Sequence, residues 1–186
     1  MRYIESRRKD IGMIPARSPY LQADCARCCA LCCVAPAFDA PQGFGYDKPA
    51  HVPCTQLRED FRCSIHGERA ARGFPACETF DCHGAGQRVT QQLFGGKSWR
   101  TSPELARKMF DAYFKYRALH EVLVLLELAI PNALPADRAL LQERFQSIDH
   151  LCDSGAALDP SVRTGEVRAQ ALEHVHLAMR RASGAS

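Results

Sequence analysis

Apolar residues recur at helical spacing from Thr101 onward. A largely apolar run follows one face of a helix of about 3.6 residues per turn, and its members are Leu105, Met109, Ala112, Tyr113, Tyr116, His120 and Leu123. Thr101 and Glu104 have the spacing of a capping box, and Pro131 cannot continue a helix. We therefore predict a helix from Thr101 to about Ile130.

Two shorter helices are predicted after this one. The segment from Pro135 to about Cys152 carries apolar residues at helical spacing and is followed by the stop signal Ser154-Gly155. A third helix is predicted to begin at Asp159-Pro160, because aspartate is a good N-cap. The apolar faces predict that the three helices pack together as a hydrophobic body. No segment shows the alternation of apolar and polar residues that is typical of a strand.

The front of the chain has a different pattern. Residues 1–24 are predicted to form a mobile N-terminal arm, because prolines interrupt any helix there. Residues 25–84 form a lobe rich in cysteine and proline, and residues 85–186 form the helical region, which opens with a short helix stopped by Gly95 and Gly96. We predict a mainly α protein in which a cysteine-rich, metal-stapled N-terminal lobe is followed by a three-helix body.

Charge and hydropathy exclude several classes of protein. The chain has 24 basic and 21 acidic residues, and its formal charge of +3 is too close to neutral to indicate a nucleic-acid partner. No apolar run reaches the roughly 20 residues of a membrane span, and no secretory signal follows the basic start. We expect a cytoplasmic protein with no membrane or nucleic-acid partner, and a protein partner remains open.

Nine of the ten cysteines lie between Cys25 and Cys82. In a reducing compartment such crowding favours metal ligation over disulfides, because the thiolate is the metal ligand. The first five have helical spacing, so a helix there would place their thiols on one face, whereas the other four must return to them from loops. The predicted metal ligands are Cys25, Cys28, Cys29, Cys32, Cys33, Cys54, Cys63, Cys77, Cys82 and His66. Cys152 is predicted to be a small packing residue.

Ligand chemistry leaves the metal open. Eight cysteines can form two tetrahedral four-sulfur zinc sites, and nine can hold three metals through shared sulfurs. An iron–sulfur cluster uses the same ligands. The expectation is zinc or iron, at two or three ions per chain, with an iron–sulfur cluster as the alternative.

The cysteine spacings resemble a known family. The pattern C-x-x-C-C-x-x-C from Cys25, the segments CTQL at Cys54 and CSIH at Cys63, and the run CETFDC that ends at Cys82 resemble the bacterial YkgJ-like cysteine-cluster family, whose domain chelates zinc or iron. The resemblance implies these ligands: Cys25, Cys28, Cys29, Cys32, Cys54, Cys63, Cys77 and Cys82. Cys33 is additional to the family pattern, so either Cys32 or Cys33 takes the family role.

A second resemblance begins at the end of this cluster. The segment FDCHGAGQRVTQQLFGGKSWR and the helix after it are similar to the front of some actinobacterial pentapeptide-repeat proteins, although no pentapeptide array follows here. The sequence predicts a metal-binding protein, structural or chelating, that acts through a partner. The alternative is a redox or modifying enzyme dependent on iron or an iron–sulfur cluster, and the sequence does not decide whether the protein is an enzyme.

Overall fold

The computed structural model describes residues 18–184, and within this range the chain is helical with no β-strand. Its α-helices are α1 Leu31–Val34, α2 Pro75–Thr79, α3 Ala85–Gln87, α4 Pro103–Ala129, α5 Pro135–Asp153 and α6 Thr164–Ala182. A π-helical segment, Arg88–Leu93, continues α3. The mainly α class is confirmed for the described residues. No helix in this part of the chain has the length and apolar character needed to cross a membrane.

Helix α4 is the centre of the fold. It contacts α5 and α6 as well as α1, α3 and the π-helical segment. Its side chains Tyr113, Tyr116 and Leu119 are almost completely buried. The hydrophobic core is continuous across both sides of α4, because Leu21 and Leu31 from the front of the chain belong to the same cluster of buried residues. Helix α1, which carries Cys32 and Cys33, therefore packs against the helix that organises the C-terminal half.

The N-cap of α4 lies one residue later than predicted. Ser102 is the N-cap, and its Oγ accepts a hydrogen bond of 3.2 Å from the backbone N–H of Leu105. Thr101 instead ends the short 3-10 turn Trp99–Thr101. The prediction that Thr101 caps the helix is wrong, because the extended backbone needed at the cap occurs at Ser102.

The two later helices were predicted with unequal success. Helix α5 has the predicted start and ends one residue beyond the predicted end, with Gly155 in the left-handed region at a φ of 75°. Helix α6 starts at Thr164, so the predicted start at Asp159 is wrong. The carboxylate of Asp159 closes a tight turn by accepting from the N–H and the hydroxyl of Ser161, at 2.8 and 2.6 Å. This turn separates Asp159 from the helix.

The first five cysteines do not lie on one helix. Cys25–Arg27 is a 3-10 turn, Cys28 is extended, and Ala30 is in the left-handed region at a φ of 60° before α1 begins. The prediction of a single sulfur-lined helix face is therefore wrong, because the chain turns between Cys28 and α1. The turn sends neighbouring thiols in different directions.

The end of the predicted arm is packed against the body. The backbone N–H of Ser18 donates to the carboxylate of Glu127 at 3.1 Å, and Leu21 is fully buried. The rest of the predicted arm, residues 1–17, lies outside the described residues. The predicted short helix after the cysteines is confirmed as α3 with its π-helical continuation, and Gly95 follows with a φ of 57°.

Candidate metal centre

Four cysteines from four segments form what we call the outer group: Cys33, Cys54, Cys63 and Cys77. The backbone N–H of Cys54 donates to the carbonyl of Cys33 at 2.9 Å, and the residues around Cys63 pair with the segment after Cys54 through an isolated β-bridge. Burial, together with the nearby thiolates of Cys33, Cys54 and Cys63, raises the pKa of Cys77 to about 11. These contacts connect segments whose cysteines are far apart in sequence.

A second set, the inner group, consists of Cys25, Cys28, Cys32 and Cys82. Burial raises the pKa of Cys28 to about 12, and the charge of Cys82 acts in the same direction. Burial likewise raises the pKa of Cys25, with Cys82 and Cys33 as charged neighbours. The two groups meet where Cys32 Sγ lies 3.9 Å from Cys33 Sγ.

A glycine makes room for the inner group. A Cβ on Gly86 would lie 2.7 Å from Cys28 Sγ and 3.8 Å from Cys82 Sγ, and the first distance is too short for any real contact. The backbone N–H groups of Gly86 and Gly84 donate to Cys82, which opposes the effect of burial on its pKa. At Gly86, therefore, no side chain of α3 stands between the helix backbone and the sulfurs of Cys28 and Cys82.

Backbone donors are aimed at thiols of the outer group as well. The N–H of Gln56 lies 3.4 Å from Cys54 Sγ, two residues along the chain. Burial raises the pKa of Cys63, and the N–H of Ile65, also two residues on, acts in the opposite direction. Hydrogen bonds from N–H groups stabilise the charged form of an acceptor, which is the form that binds a metal.

Cys29 and Cys152 are assigned to neither group, although Cys29 is a charged neighbour of Cys28. Cys29 is buried in the hydrophobic core, and its Sγ lies 3.4 Å from the hydroxyl oxygen of Thr90. The indole N–H of Trp99 donates to its carbonyl at 2.8 Å. Cys152 is buried beside α4, where the hydroxyl of Tyr116 donates to its carbonyl at 2.8 Å. The turn before α1 thus directs Cys29 toward the core and Cys28 toward the inner group.

The histidines near the cluster are placed differently. His66 is exposed in the 3-10 turn His66–Glu68. His51 stacks on Phe110 with ring centroids 5.0 Å apart, and His83 lies 3.3 Å from the carboxylate of Asp81. Between residues 18 and 184, no three His, Cys, Asp or Glu side chains stand close enough together to hold a metal ion.

Lys48 and Arg69 are cations next to the thiols, and neither was predicted from the sequence. Lys48 is 2% exposed. Burial lowers its pKa, while the thiolates of Cys54 and Cys33 act in the opposite direction. Arg69 is a charged neighbour of Cys33 and Cys77, and its Nε is buried with no hydrogen-bond partner in the described part of the chain. The lysine stands in a proline-rich loop, and no pattern around it indicates burial.

A buried polar network connects the end of the cysteine region to α5. Arg88 is 5% exposed, and its guanidinium contacts the carboxylates of Asp149 and Asp153 at 2.8 and 2.7 Å. It also lies 3.4 Å from Nε2 of His120, whose Nδ1 is 2.6 Å from the carbonyl oxygen of His83. Burial lowers the pKa of His120 to about 4, so the imidazole is neutral and donates from Nδ1 to that carbonyl.

Comparison with known proteins gives three relatives. The chain is 41% identical over 133 residues to the uncharacterized protein YybG of Bacillus subtilis, and the match covers 70% of this chain and 47% of that protein. It is 39% identical over 59 residues to a UPF0153 protein of Vibrio cholerae, covering 29% of this chain and 72% of that protein. It is 44% identical over 43 residues to the UPF0153 protein YeiW of Escherichia coli, covering 23% of this chain and 51% of that protein.

These matches differ in extent. The chain spans about half the length of the Bacillus subtilis and Escherichia coli relatives and nearly three quarters of the Vibrio cholerae protein. No family model matches the chain, and no solved structure matches it.

Proposed function

The chain belongs to the cysteine-rich UPF0153 family, and from this premise we propose that it is a cytoplasmic metal-binding protein whose clustered thiolates hold zinc or iron and whose loaded lobe acts through a protein partner. The observation that carries the proposal is that backbone contacts join the segments of Cys33, Cys54 and Cys63, and that backbone N–H groups lie beside the sulfurs of Cys54, Cys63 and Cys82. The resemblance of the cysteine spacings to the YkgJ-like chelating domain supports the same function.

The donor set fits two four-thiolate sites. We assign the outer group to one metal and the inner group to the other, because tetrahedral sulfur coordination uses four ligands for each ion. Cys29 and His66 lie outside both groups, so this assignment takes Cys33 as a ligand in place of Cys29. A bound metal would join the loop segments of the lobe to α1, α2 and α3.

Thiol chemistry supports a metal over free thiols. Burial and neighbouring thiolates raise the pKa of Cys28 to about 12 and that of Cys77 to about 11, so crowded thiolates repel one another when no cation lies between them. A divalent metal supplies that cation and displaces the protons. Metal binding should therefore release protons and weaken as the pH falls.

The test is the metal content of protein purified anaerobically without chelator. We expect two metal ions per chain by elemental analysis. A colourless protein identifies zinc, whereas brown or red absorption identifies iron bound by thiolate and selects the iron or iron–sulfur alternative. Less than one metal per chain, with thiols oxidised in pairs, contradicts the proposal.

Single cysteine variants test the assignment. Cys63→Ser and Cys77→Ser each remove a ligand of the outer group, so each should lose one metal ion. Cys152→Ser is the matched control, because this thiol is buried but distant from the cluster, and it should keep both metals. Equal loss of metal from the control would show that the boundary of the cluster is wrong.

A further inference from the structure

Lys48 and Arg69 have no assigned role in the proposed metal site. We infer that they are the positioning residues of the outer group: Lys48 fixes the segments that carry Cys33 and Cys54, and the two cations together offset the negative charge of the loaded site. This inference rests on the proposed function and adds two residues that bind no metal themselves.

Lys48 joins the two segments by its hydrogen bonds. Its Nζ donates to the carbonyl oxygens of Pro36, Val52, Pro49 and Val34, at 2.6, 2.7, 3.0 and 3.3 Å. Two of these carbonyls belong to the chain immediately after Cys33, and the other two precede Cys54. A lysine ammonium has only three hydrogens, so all of its donors are used within this cage. The cage therefore fixes the distance between the two ligand segments.

The charge of Lys48 is not matched by a carboxylate. Among residues 18–184 no acidic side chain forms an ion pair with it, although it also lies 4.5 Å above the ring of Phe38. Carbonyl dipoles and a ring face stabilise a buried cation but carry no net charge. The anionic groups next to it are the thiols of the outer group, which gives the buried charge a counterpart once they are ionised.

Arg69 approaches the same group from another segment. It follows the turn His66–Glu68 after Cys63, and its carbonyl accepts the N–H of Phe74 at 2.8 Å, directly before α2. The N–H at its Nε is a buried polar group near the cluster for which the described residues offer no acceptor. A thiolate sulfur of a loaded site is an acceptor of the required charge.

The sum of charges explains why two cations are present. Four thiolates and one divalent ion carry two net negative charges, and burial of such a charge is unfavourable unless it is offset. Lys48 and Arg69 supply two positive charges. The outer site is then neutral as a unit, and this favours a divalent ion held by four thiolates.

The experiment titrates the full-length protein with cobalt alone or with zinc alone under reducing conditions and measures its affinity for each metal. The variants are Lys48→Met and Arg69→Gln, which remove the charge, and Arg69→Lys, which keeps it. Lys108→Met is the control, because Lys108 pairs with Glu104 on the exposed side of α4. The absorption of cobalt bound by four thiolates reports the geometry of each site, and Cys77→Ser identifies which step of the titration belongs to the outer group.

We expect both neutral variants to bind the outer metal about 10- to 100-fold more weakly, the range typical of residues that support metal ligands. The inner metal should be unchanged in Lys48→Met, whereas Arg69 is also a charged neighbour of Cys25 in the inner group. Arg69→Lys should recover most of the affinity. Wild-type affinity in both neutral variants overturns the inference, and so does equal weakening in Arg69→Lys and Arg69→Gln. Failure of the wild-type protein itself to bind metal contradicts the proposed function instead.

Discussion

The helical body and the cysteine lobe achieve order by different means. In the body, α4 alone buries Tyr113, Tyr116, Leu119 and Leu123 almost completely. Between residues 36 and 82 of the lobe, the buried apolar side chains larger than cysteine are Phe38 and Phe74. Burial of apolar area is the main favourable contribution to folding, so the lobe has little of it. The comparison shows that one chain can combine a conventional core with a region that depends on polar contacts and, as we propose, on metal.

The two regions nevertheless share a boundary of apolar contacts. Leu21, Leu31 and Val34 are fully buried and belong to the same core as the residues of α4. The network of Arg88 adds polar contacts between the π-helical segment and α5. Experiments that remove metal, the network or a helix cap therefore measure how far the two regions depend on each other.

The largest effect is expected from metal removal. Metal binding supplies on the order of 10 to 16 kcal/mol in small zinc domains, so a strong chelator under reducing conditions should remove amide-exchange protection from residues 25–82. Most of the far-ultraviolet helical signal should survive, because the core of α4, α5 and α6 remains. If the helical signal disappears together with the metal, the helical body is not stable by itself.

The next effect is expected from Arg88→Met. The guanidinium is buried but its carboxylate partners Asp149 and Asp153 are 27% and 62% exposed, so loss of these charged hydrogen bonds should cost about 1.5 to 3 kcal/mol. The loss also breaks the link between the π-helical segment and α5. Urea unfolding monitored by circular dichroism should show the decrease. Arg163→Met is the control, because its ion pair with Glu166 is exposed, and a decrease of similar size in this variant would contradict the prediction.

A pH effect is expected from His120. Burial lowers its pKa to about 4 in the folded protein from the ordinary value of 6.5, so the unfolded chain binds the proton more readily. The contribution of His120 to the free energy of unfolding is complete above pH 6.5 and is lost as the pH falls toward 4, by roughly 1 to 3 kcal/mol. The free energy of unfolding, measured with urea, should fall more steeply between pH 7 and pH 4.5 in the wild type than in His120→Gln. Parallel curves would exclude the effect.

The smallest effect is expected at the start of α4. Ser102→Ala removes a cap and should lower the free energy of unfolding by about 1 kcal/mol, measured by urea unfolding at pH 7. Thr101→Ala is the matched variant one residue earlier and should have little effect, because Thr101 belongs to the preceding turn. The opposite ranking of the two variants would restore Thr101 as the cap.

The sequence predicts long helices better than it predicts turns. Helix α5 and most of α4 follow from the spacing of apolar residues, because those residues pack on one another in the described structure. The start of α6 and the path from Cys25 to Cys33 were predicted wrongly, because Asp159 and Ala30 adopt local turns that helical spacing does not reveal.

The candidate site shows the same division. The cysteines that we assign to two groups could be identified by their number and crowding. The burial of Cys29 in the core depends on the turn before α1, and the burial of Lys48 depends on carbonyls from two separate segments. These features arise from the path of the chain in three dimensions, so spacing along the sequence does not contain them.

Because α4 is the centre of the fold, the apolar core can pack only after α4 has left the ribosome. Synthesis starts at the N-terminus, so all the cysteines of the two groups emerge before α4 exists. Until α4 emerges, Leu21 and Leu31, which are fully buried in the finished protein, have no helix to pack against. The metal loading proposed above can begin on the nascent chain at this stage, and the closing of the apolar core follows it.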